Sequence, residues 1–588
     1  MCILPAASTA NGYQPIKPCL SSWMAGSLEV QGQNTMDFWS ARGMSSKPGR
    51  VCGRKTSSAA ELRRRRRMLA ISLSLVILTL SCSTGEYWKA PSISPTPPAE
   101  IAFLLQPPPT EQLTATENLE IVADDPDPSE QLPPPISSDV TPTPPPVNTA
   151  PILYYTQAAD TLPVVAVRFG VQPQEISSPA PLPETALLPP NQLLIIPNRI
   201  ANTTSSHRLI PDSELVYSPS ATDFDIKAYV EQAGGYLSTY TEWSQTTKTT
   251  SGADIVARVA IENSINPRLL LALLEYHSHW VTGQPTNLAE SEYPMGLIDL
   301  NQKGLYHQLV WTVNQLSIGY YSWREGRLIE LHFSDGLTAR LAPDLNAGSV
   351  ALQYYFSKLY DAERWLQAVD PENGFPALFE RMFGNPWLRA QTIEPLYPPG
   401  LTQPPLILPF EIGRRWSFSG GPHGAWEHEG SYAALDFAPA SSETGCQESN
   451  AWATAAASGL VVRSGNGVVV LDLDGDGKEQ TGWVLLYLHV SSDKRVPVGT
   501  WVDVGDRLGH PSCEGGMATG THLHIARKYN GEWIAADGPI PFVLSGWQAH
   551  AGEEAYKGSL TRDGKTIYAC TCGSANTLIQ RTADDPVP

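Results

Sequence analysis

The stretch Gly520-Thr521-His522-Leu523-His524-Ile525-Ala526 reads as a β-strand entered from a glycine-rich turn. Side chains alternate across a strand, so His522 and His524 share one face while Leu523 points into a core. Upstream lie Leu486-Tyr487-Leu488-His489, Ala434-Leu435-Asp436-Phe437 and Ser419-Gly420-Gly421-Pro422-His423. Each segment alone says little, because a loop histidine is commonly solvent-exposed and an aspartate beside a strand is commonly a turn residue. Together they are specific: seven of the twelve histidines fall between His423 and His550, in strand or turn settings. Two imidazoles on one face, with a remote histidine and a carboxylate, are the ingredients of a zinc site that keeps an open position for water. Imidazole and carboxylate suit zinc, whereas a calcium site would be mostly oxygen. The sequence contains no His-Glu-x-x-His, which excludes the helical two-histidine arrangement of the thermolysin type.

The order is a histidine, an aspartate thirteen positions on, Leu-Tyr-x-His, then His-x-His, and over about residues 415 to 548 it resembles the lysostaphin-type zinc endopeptidases, nearest their β-lytic branch. The resemblance implies a mostly antiparallel β peptidase domain of the duplicated hybrid motif type at 405–548. It implies zinc ligands His423, Asp436 and His524, with His489 and His522 as the pair that handles the proton and stabilises the developing oxyanion. Gly421-Pro422, and Gly509-His510-Pro511 followed by the glycine-rich 515–520, match the loops that shape that family's groove. The implied reaction is hydrolysis of peptide cross-links or stems of peptidoglycan.

A length of 588 residues suggests two to four folded units. Lys plus Arg is 40 against 59 Asp plus Glu, a net charge of −19, and the first 81 residues carry eleven basic and three acidic groups, so the remainder is more acidic still. Such a chain lacks the basic face of a nucleic-acid binder. Arg63 to Arg67 and the apolar run Met68–Leu80 form a secretory signal or an uncleaved membrane anchor over 63–82, too short for an ordinary membrane span. Leu80-Ser81-Cys82-Ser83 resembles a bacterial lipobox with Cys82 as the acylated residue, although Thr79 stands where leucine is usual. The expected location is therefore extracytoplasmic, tethered to the membrane or secreted. Residues 1–62 lack periodicity and precede the signal, consistent with a translation start at Met36 or Met44. Residues 83–151 are rich in Pro, Thr, Ser and acids, a composition that cannot bury enough apolar area to offset ordering entropy, and read as a stalk.

Between stalk and peptidase the sequence predicts two further units. Residues 152–199 have the strand, short helix, spacer and strand of a LysM module, which they resemble; that family binds glycans containing N-acetylglucosamine. Ala159 replaces the usual glycine before Asp160, and Pro163 falls inside the expected helix. After a linker at 200–222, residues 223–395 are helical, with Asn266-Pro267 as N-cap and first position of a buried leucine-rich helix. This part resembles an all-α, lysozyme-like lytic transglycosylase domain, but His277 stands where those enzymes carry their acid. Glu275 lies two residues away, on another face of the helix. The expectation is a non-catalytic relative, with Tyr276, Trp280 and Tyr320 lining a groove that binds glycan, or a simple spacer.

Asp472-Leu473-Asp474-Gly475-Asp476-Gly477 matches the opening of a calcium loop, but Trp483 occupies its twelfth position and strand-like runs flank it, so a hairpin turn is expected. Cys446 and Cys513 sit in loops and an exported protein permits a disulfide between them. Cys570 and Cys572, taken as strand positions, are expected to pair elsewhere than with each other. Four cysteines leave three connectivities open. A C-terminal β extension occupies 549–588. The sequence thus predicts a zinc-dependent peptidoglycan endopeptidase. Two alternatives stay open: a zinc-bound, non-catalytic activator of another wall hydrolase, and a secreted protease acting on glycine-rich proteins.

Overall fold

The computed structural model describes residues 150–586, apart from 246, 427–428 and 441–444. The expected N-terminal extension, the signal or anchor with Cys82, and nearly all of the stalk lie outside the described residues. Within the described residues no helix is long and apolar enough to cross a membrane.

Strand β1 (Ile152–Tyr155) pairs antiparallel with β2 (Leu193–Ile196), and helix α1 (Leu162–Phe169) packs on them. Pro163 does not break α1 because it lies in the first turn, where no backbone donor is needed; Gly170, in the left-handed region, closes the other end. The second half of the unit is a single 3₁₀ turn at Pro173–Glu175. Asp160 is buried as the hub of this unit, accepting from the Tyr154 hydroxyl (2.6 Å), Gln157 N (2.8 Å) and Arg168 (2.8 Å). Arg168 also donates to Trp323 O at 2.9 Å, which docks the unit on the helices that follow.

Those helices include α2 (Gly252–Asn263), α3 (Pro267–Ser278), α4 (Leu305–Arg324) and α5 (Ala347–Leu359). As the sequence predicts, the Asn266 side chain accepts from Arg268 N and Pro267 opens α3, whose Leu269 to Leu274 are fully buried. Two features depart from the expectation. The region is not all-α: Thr241–Ser244 pairs with Lys248–Ser251, and Glu330–His332 with Thr338–Arg340, as short hairpins. The expected linker is also structured, since Leu209, Ile210, Leu215 and Val216 are buried in the helical core.

The C-terminal half is built on one long antiparallel sheet with smaller sheets beside it. The long sheet holds β3 (Arg415–His423), β4 (Ala434–Pro439), β5 (Gly459–Gly465), β6 (Val468–Asp472), β7 (Trp483–Leu488), β8 (Trp501–Val502), β9 (Leu523–Tyr529) and β10 (Glu532–Trp533). The strands β11 (Trp547–Ala551), β12 (Gly558–Arg562) and β13 (Lys565–Tyr568) form a separate four-stranded sheet with Val543–Leu544, and β14 (Leu578–Gln580) returns to the long one. The order across the sheet is β8-β5-β6-β7-β9-β4-β3-β14, with β10 paired to the end of β9. The C-terminal extension is thus tied to the sheet through β14, and β11 runs across position 548.

Both faces of this sheet are covered, which explains why β6 and β7 read as unbroken apolar runs. Val469, Leu471, Leu485, Tyr487, Ile525, Leu435 and Phe437 face a core made by the C-terminal half itself. Val468, Val470, Val484, Leu486, Leu488, Ala434 and Ala526 face the helices and share a hydrophobic cluster with them. Burying each of the larger side chains is worth about 1.5–3 kcal/mol, so the helices and the sheet stabilise one another. A polar clamp fixes their alignment. Arg324, at the end of α4, donates to Asp212 (2.9 Å) and to Glu532 (3.3 Å) on β10, and the Tyr320 hydroxyl donates to Glu532 at 2.9 Å. Tyr320 is therefore fully buried in this interface, as Trp280 is in the helical core, and neither lines a groove.

Replacing Arg324 with Met leaves two buried carboxylates uncompensated and should cost about 3–5 kcal/mol in urea unfolding. Combining it with Asp212→Asn and Glu532→Gln should recover most of that loss; if the triple variant is no more stable than R324M, the ion cluster is not what holds the interface.

Candidate active site

Register places the chemistry. In the β9–β4 ladder His524 lies opposite Asp436, and in the β7–β9 ladder Leu488 lies opposite His524, so His489 follows one residue beyond that pair. Asp436 and His524 share the sheet face of Ala434 and Ala526, beside the area that the helices cover. The end of β3 delivers His423 to the same place after two register shifts at Gly420 and His423. A Cβ on Gly420 would lie 2.5 Å from Asp436 Oδ2, so only glycine lets this strand pass the carboxylate.

All five residues singled out in the sequence are brought together. His423 Nδ1 donates to Gly421 O (2.8 Å) and His524 Nε2 donates to Ala425 O (2.9 Å). Those bonds fix the tautomers and leave His423 Nε2 and His524 Nδ1 facing inward as lone pairs. The two inward nitrogens are 3.0 Å apart, and each is 3.3 Å from Asp436 Oδ1. That oxygen is buried and accepts no hydrogen bond. Three acceptor atoms meeting in a buried space repel one another unless a cation or a proton lies between them. The nitrogen, nitrogen and oxygen donor set therefore fits a transition-metal ion.

The electrostatics agree. Burial alone would raise the Asp436 carboxyl, but His423 and the other imidazoles hold it well below the usual carboxylate range. Burial likewise disfavours the His423 cation, yet Asp436 beside it leaves that histidine raised. His524, where burial dominates, is lowered.

His489 and His522 stand next to this trio, their rings 4.4 Å apart. His489 Nδ1 donates to Glu514 O and His522 Nδ1 donates to Gly520 O, both at 2.8 Å, so each presents an unprotonated Nε2. His522 Nε2 lies 3.8 Å from Asp436 Oδ1. Burial, with His522 and His524 adding to it, pushes His489 down to about 3. Both orienting carbonyls belong to the loop between Cys513 and His522, which is tied at each end. Cys513 is bonded to Cys446 with the Cα atoms 5.8 Å apart, and Thr521 N donates to Gly445 O at 3.1 Å. The Glu514 carboxylate accepts from Ser492 N at 2.8 Å, which joins that loop to the turn after His489.

Sequence reasoning missed two groups. The orienting carbonyls carry no residue signature. Tyr556, in the C-terminal extension, stacks on His423 with ring centroids 4.1 Å apart; nothing in its local sequence marks it. One expectation is corrected: Cys570 pairs with Cys572, whose Cα atoms are 5.2 Å apart. The strand ends at Tyr568, so these two lie in a turn and the strand argument against the pair does not apply. The acidic run at 472–477 is a hairpin turn, as expected. Asp472 accepts from Gly477 N (2.9 Å) and Asp474 N (3.3 Å), and Asp474 accepts from Asp476 N (3.2 Å).

In the helical region, Glu275 is spent on structure: its carboxylate accepts from Val281 N (2.9 Å), Thr282 N (2.9 Å) and the Thr282 hydroxyl (2.5 Å). His277 lies between the Tyr355 hydroxyl (2.9 Å) and the Tyr360 hydroxyl (3.1 Å). Burial, with Arg364 adding to it, pushes its pKa down to about 3, so the ring is neutral at neutral pH.

Residues 208–396 match the family described as LasA, N-terminal domain. The chain is 27% identical over 346 residues to protease LasA of Pseudomonas aeruginosa, a match covering 56% of this chain and 75% of the relative. Among solved structures, the deep-sea M23 metalloprotease pseudoalterin is similar at 23% identity and a TM-score of 0.25, over 31% of this chain and 99% of that one. The catalytic domain of lysostaphin from Staphylococcus simulans is similar at 22% identity and a TM-score of 0.15, over 21% of this chain and 89% of that one. The chain resembles the lysostaphin-type metallopeptidases. The LasA likeness covers the helices as well, which agrees with the core they share with the sheet.

Two outcomes follow from this geometry. Titration with a divalent transition-metal ion should show one tight site, and His524→Ala should weaken it at least about a hundredfold, since even outer partners of a metal ligand are worth 10–100-fold. Unchanged affinity in H524A would remove the three-donor arrangement. For His277, the folded pKa of about 3 lies below the ordinary 6.5. The stability gained from the neutral ring is complete above about pH 6.5 and is lost as pH falls towards 3. The difference in melting temperature between wild type and His277→Gln should therefore shrink from pH 7 to pH 4.

Proposed function

We propose that this chain is an exported, zinc-dependent endopeptidase that cleaves peptide cross-links or stems of peptidoglycan. The observation that carries this reading is the convergence of His423 Nε2, His524 Nδ1 and the unpartnered Asp436 Oδ1, with two further imidazoles beside them. His423, Asp436 and His524 would hold the zinc, which when bound supplies a Lewis acid for a peptide carbonyl and an acidified water. The rest falls to the chain itself. His489 and His522 each present an Nε2 lone pair, held in place by a carbonyl behind the ring. His522, the less buried of the pair, takes the proton of the attacking water and, once protonated, returns it to the leaving amine, while His489, held neutral by burial, orients that water through its Nε2. Among the described residues the groups beside the trio are imidazoles, which can carry a proton near neutral pH.

Peptidoglycan as substrate is supported by the likeness to LasA, a protease by name, and by the LysM-like order of elements at 152–199. Export, with tethering or release, rests on Arg63–Arg67 and the apolar run Met68–Leu80. The helical region is proposed as non-catalytic towards glycan, because the Glu275 carboxylate is occupied by Val281 and Thr282 and burial keeps His277 neutral. Its part is to back the peptidase sheet.

Zinc-loaded protein comprising residues 150–588 should release new amino and carboxyl ends from purified sacculi, identified by mass spectrometry, and no anhydromuropeptides. His489→Ala and His522→Ala should keep zinc and lose at least about a hundredfold in rate, the usual scale for acid–base groups. A zinc-loaded wild type that cuts no peptide, yet stimulates another wall hydrolase, would establish the activator reading instead.

A further inference from the structure

Glu514 serves the His489 region from both ends of one residue. Its carbonyl oxygen takes the Nδ1–H of His489 at 2.8 Å. Its carboxylate reaches the turn that follows the same histidine. Both oxygens accept from Ser492 N (2.8 and 2.9 Å), and the Ser492 and Ser491 hydroxyls donate to it at 3.0 and 3.3 Å. Arg495 adds an ion pair at 3.5 Å and donates to Val490 O at 2.8 Å. One side chain thus ties the loop that orients the ring to the backbone that carries the ring.

That backbone needs a firm hold. His489 has φ +64°, a left-handed conformation unfavourable for a residue with a side chain. Strain of this kind persists where surrounding structure enforces it, and it clusters at functional sites. The His489 carbonyl accepts from Ser512 N (2.7 Å) and from the Ser512 hydroxyl (3.0 Å), and Val490 N donates to Gly467 O (2.9 Å). The main chain of Glu514 is closely packed as well. A Cβ on Gly515 would fall 2.4 Å from Asn466 O, and one on Gly467 would fall 2.5 Å from Glu514 O.

These contacts decide what the imidazole offers. A neutral ring carries one proton, and the hydrogen bond at one nitrogen sets which nitrogen bears it. With Nδ1–H held by the Glu514 carbonyl, Nε2 is left as an acceptor. Were that carbonyl to move away, the proton could pass to Nε2, and the ring would become a donor where an acceptor is needed. Substitution cannot remove a main-chain carbonyl, but it can remove the carboxylate that moors it.

We infer that Glu514 is a positioning residue for the peptidase chemistry, its carboxylate mooring the loop so that its carbonyl keeps His489 in the Nδ1–H form. It acts through His489, and no covalent bond forms or breaks at it. This inference rests on the peptidase reading above.

The test uses the zinc-loaded full chain and Glu514→Ala, with two readouts: peptide cleavage, and heteronuclear NMR of the imidazole nitrogens, which reports the tautomer without any turnover. In E514A zinc affinity should be unchanged, kcat should fall at least about tenfold with KM little altered, and the His489 signals should move from the Nδ1–H form to a mixture of tautomers. E514Q, whose amide oxygen can still accept from Ser492 N, should lie between the two. Placed in a His489→Ala background, E514A should change the residual rate by less than about twofold, because the residue through which it acts is gone. An E514A protein with the wild-type tautomer overturns the inference, and so does an equal loss of rate in both backgrounds. If wild type binds zinc but cuts no peptide, the peptidase reading fails, while the tautomer comparison still decides whether Glu514 holds His489.

Discussion

The pairing of β9 against β4 is the constraint on which the site depends. With His524 opposite Asp436, the side chains of both project from the same sheet face, a strand spacing apart. A slip of one residue would carry both imidazoles of the His522-Leu523-His524 run to the far face and bring Leu523 in their place. The register is held from both sides by burial: Leu523 and Ile525 belong to the peptidase core, while Ala526 is covered by the helices. The same apolar packing that folds the sheet thus also sets the distance between a ligand nitrogen and a ligand oxygen.

Around that pair the protein uses backbone carbonyls to decide what each imidazole can do. Gly421, Ala425, Glu514 and Gly520 each take one ring N–H, and so turn four histidines into four inward acceptors. A buried set of acceptors beside an ionised carboxylate is unstable alone, and that instability is what makes it a receptor for a cation. The loops that supply the carbonyls are tied down independently, by the Cys446–Cys513 bond and by the Glu514 carboxylate on the turn after His489.

The helical region belongs to the same physical argument. It covers the sheet face on which the site lies, and Arg324 holds Glu532 of β10, the strand paired with the end of β9. The loop between His423 and Asp436 also rests on it: a Cβ on Gly430 would meet the Ser317 side chain at 3.1 Å. The region that the sequence sets apart as a non-catalytic relative of glycan-cleaving domains shares, in the folded chain, one hydrophobic core with the sheet and backs it.

Much of this was legible in the sequence. The alternation around His522 and His524, the strands at 468–473 and 483–488, the Asn266-Pro267 helix start and the 472–477 turn are local, because they depend on spacing and on residues that cap or turn the chain within a few positions. The five site residues could be named because their types are rare and their chemistry is narrow. What the sequence could not supply were contacts between segments far apart. The carbonyls that orient the histidines have no side-chain identity to read, and Tyr556 reaches His423 only because β11 and β12 fold back on β3. Trp280 and Tyr320 look like groove residues in a one-dimensional pattern, yet burial in a shared core assigns them to packing. Residue type and spacing marked the candidate chemistry; the packing of distant segments decided which atoms converge at the candidate metal site, which carbonyls hold them, and which surface is closed by the helices.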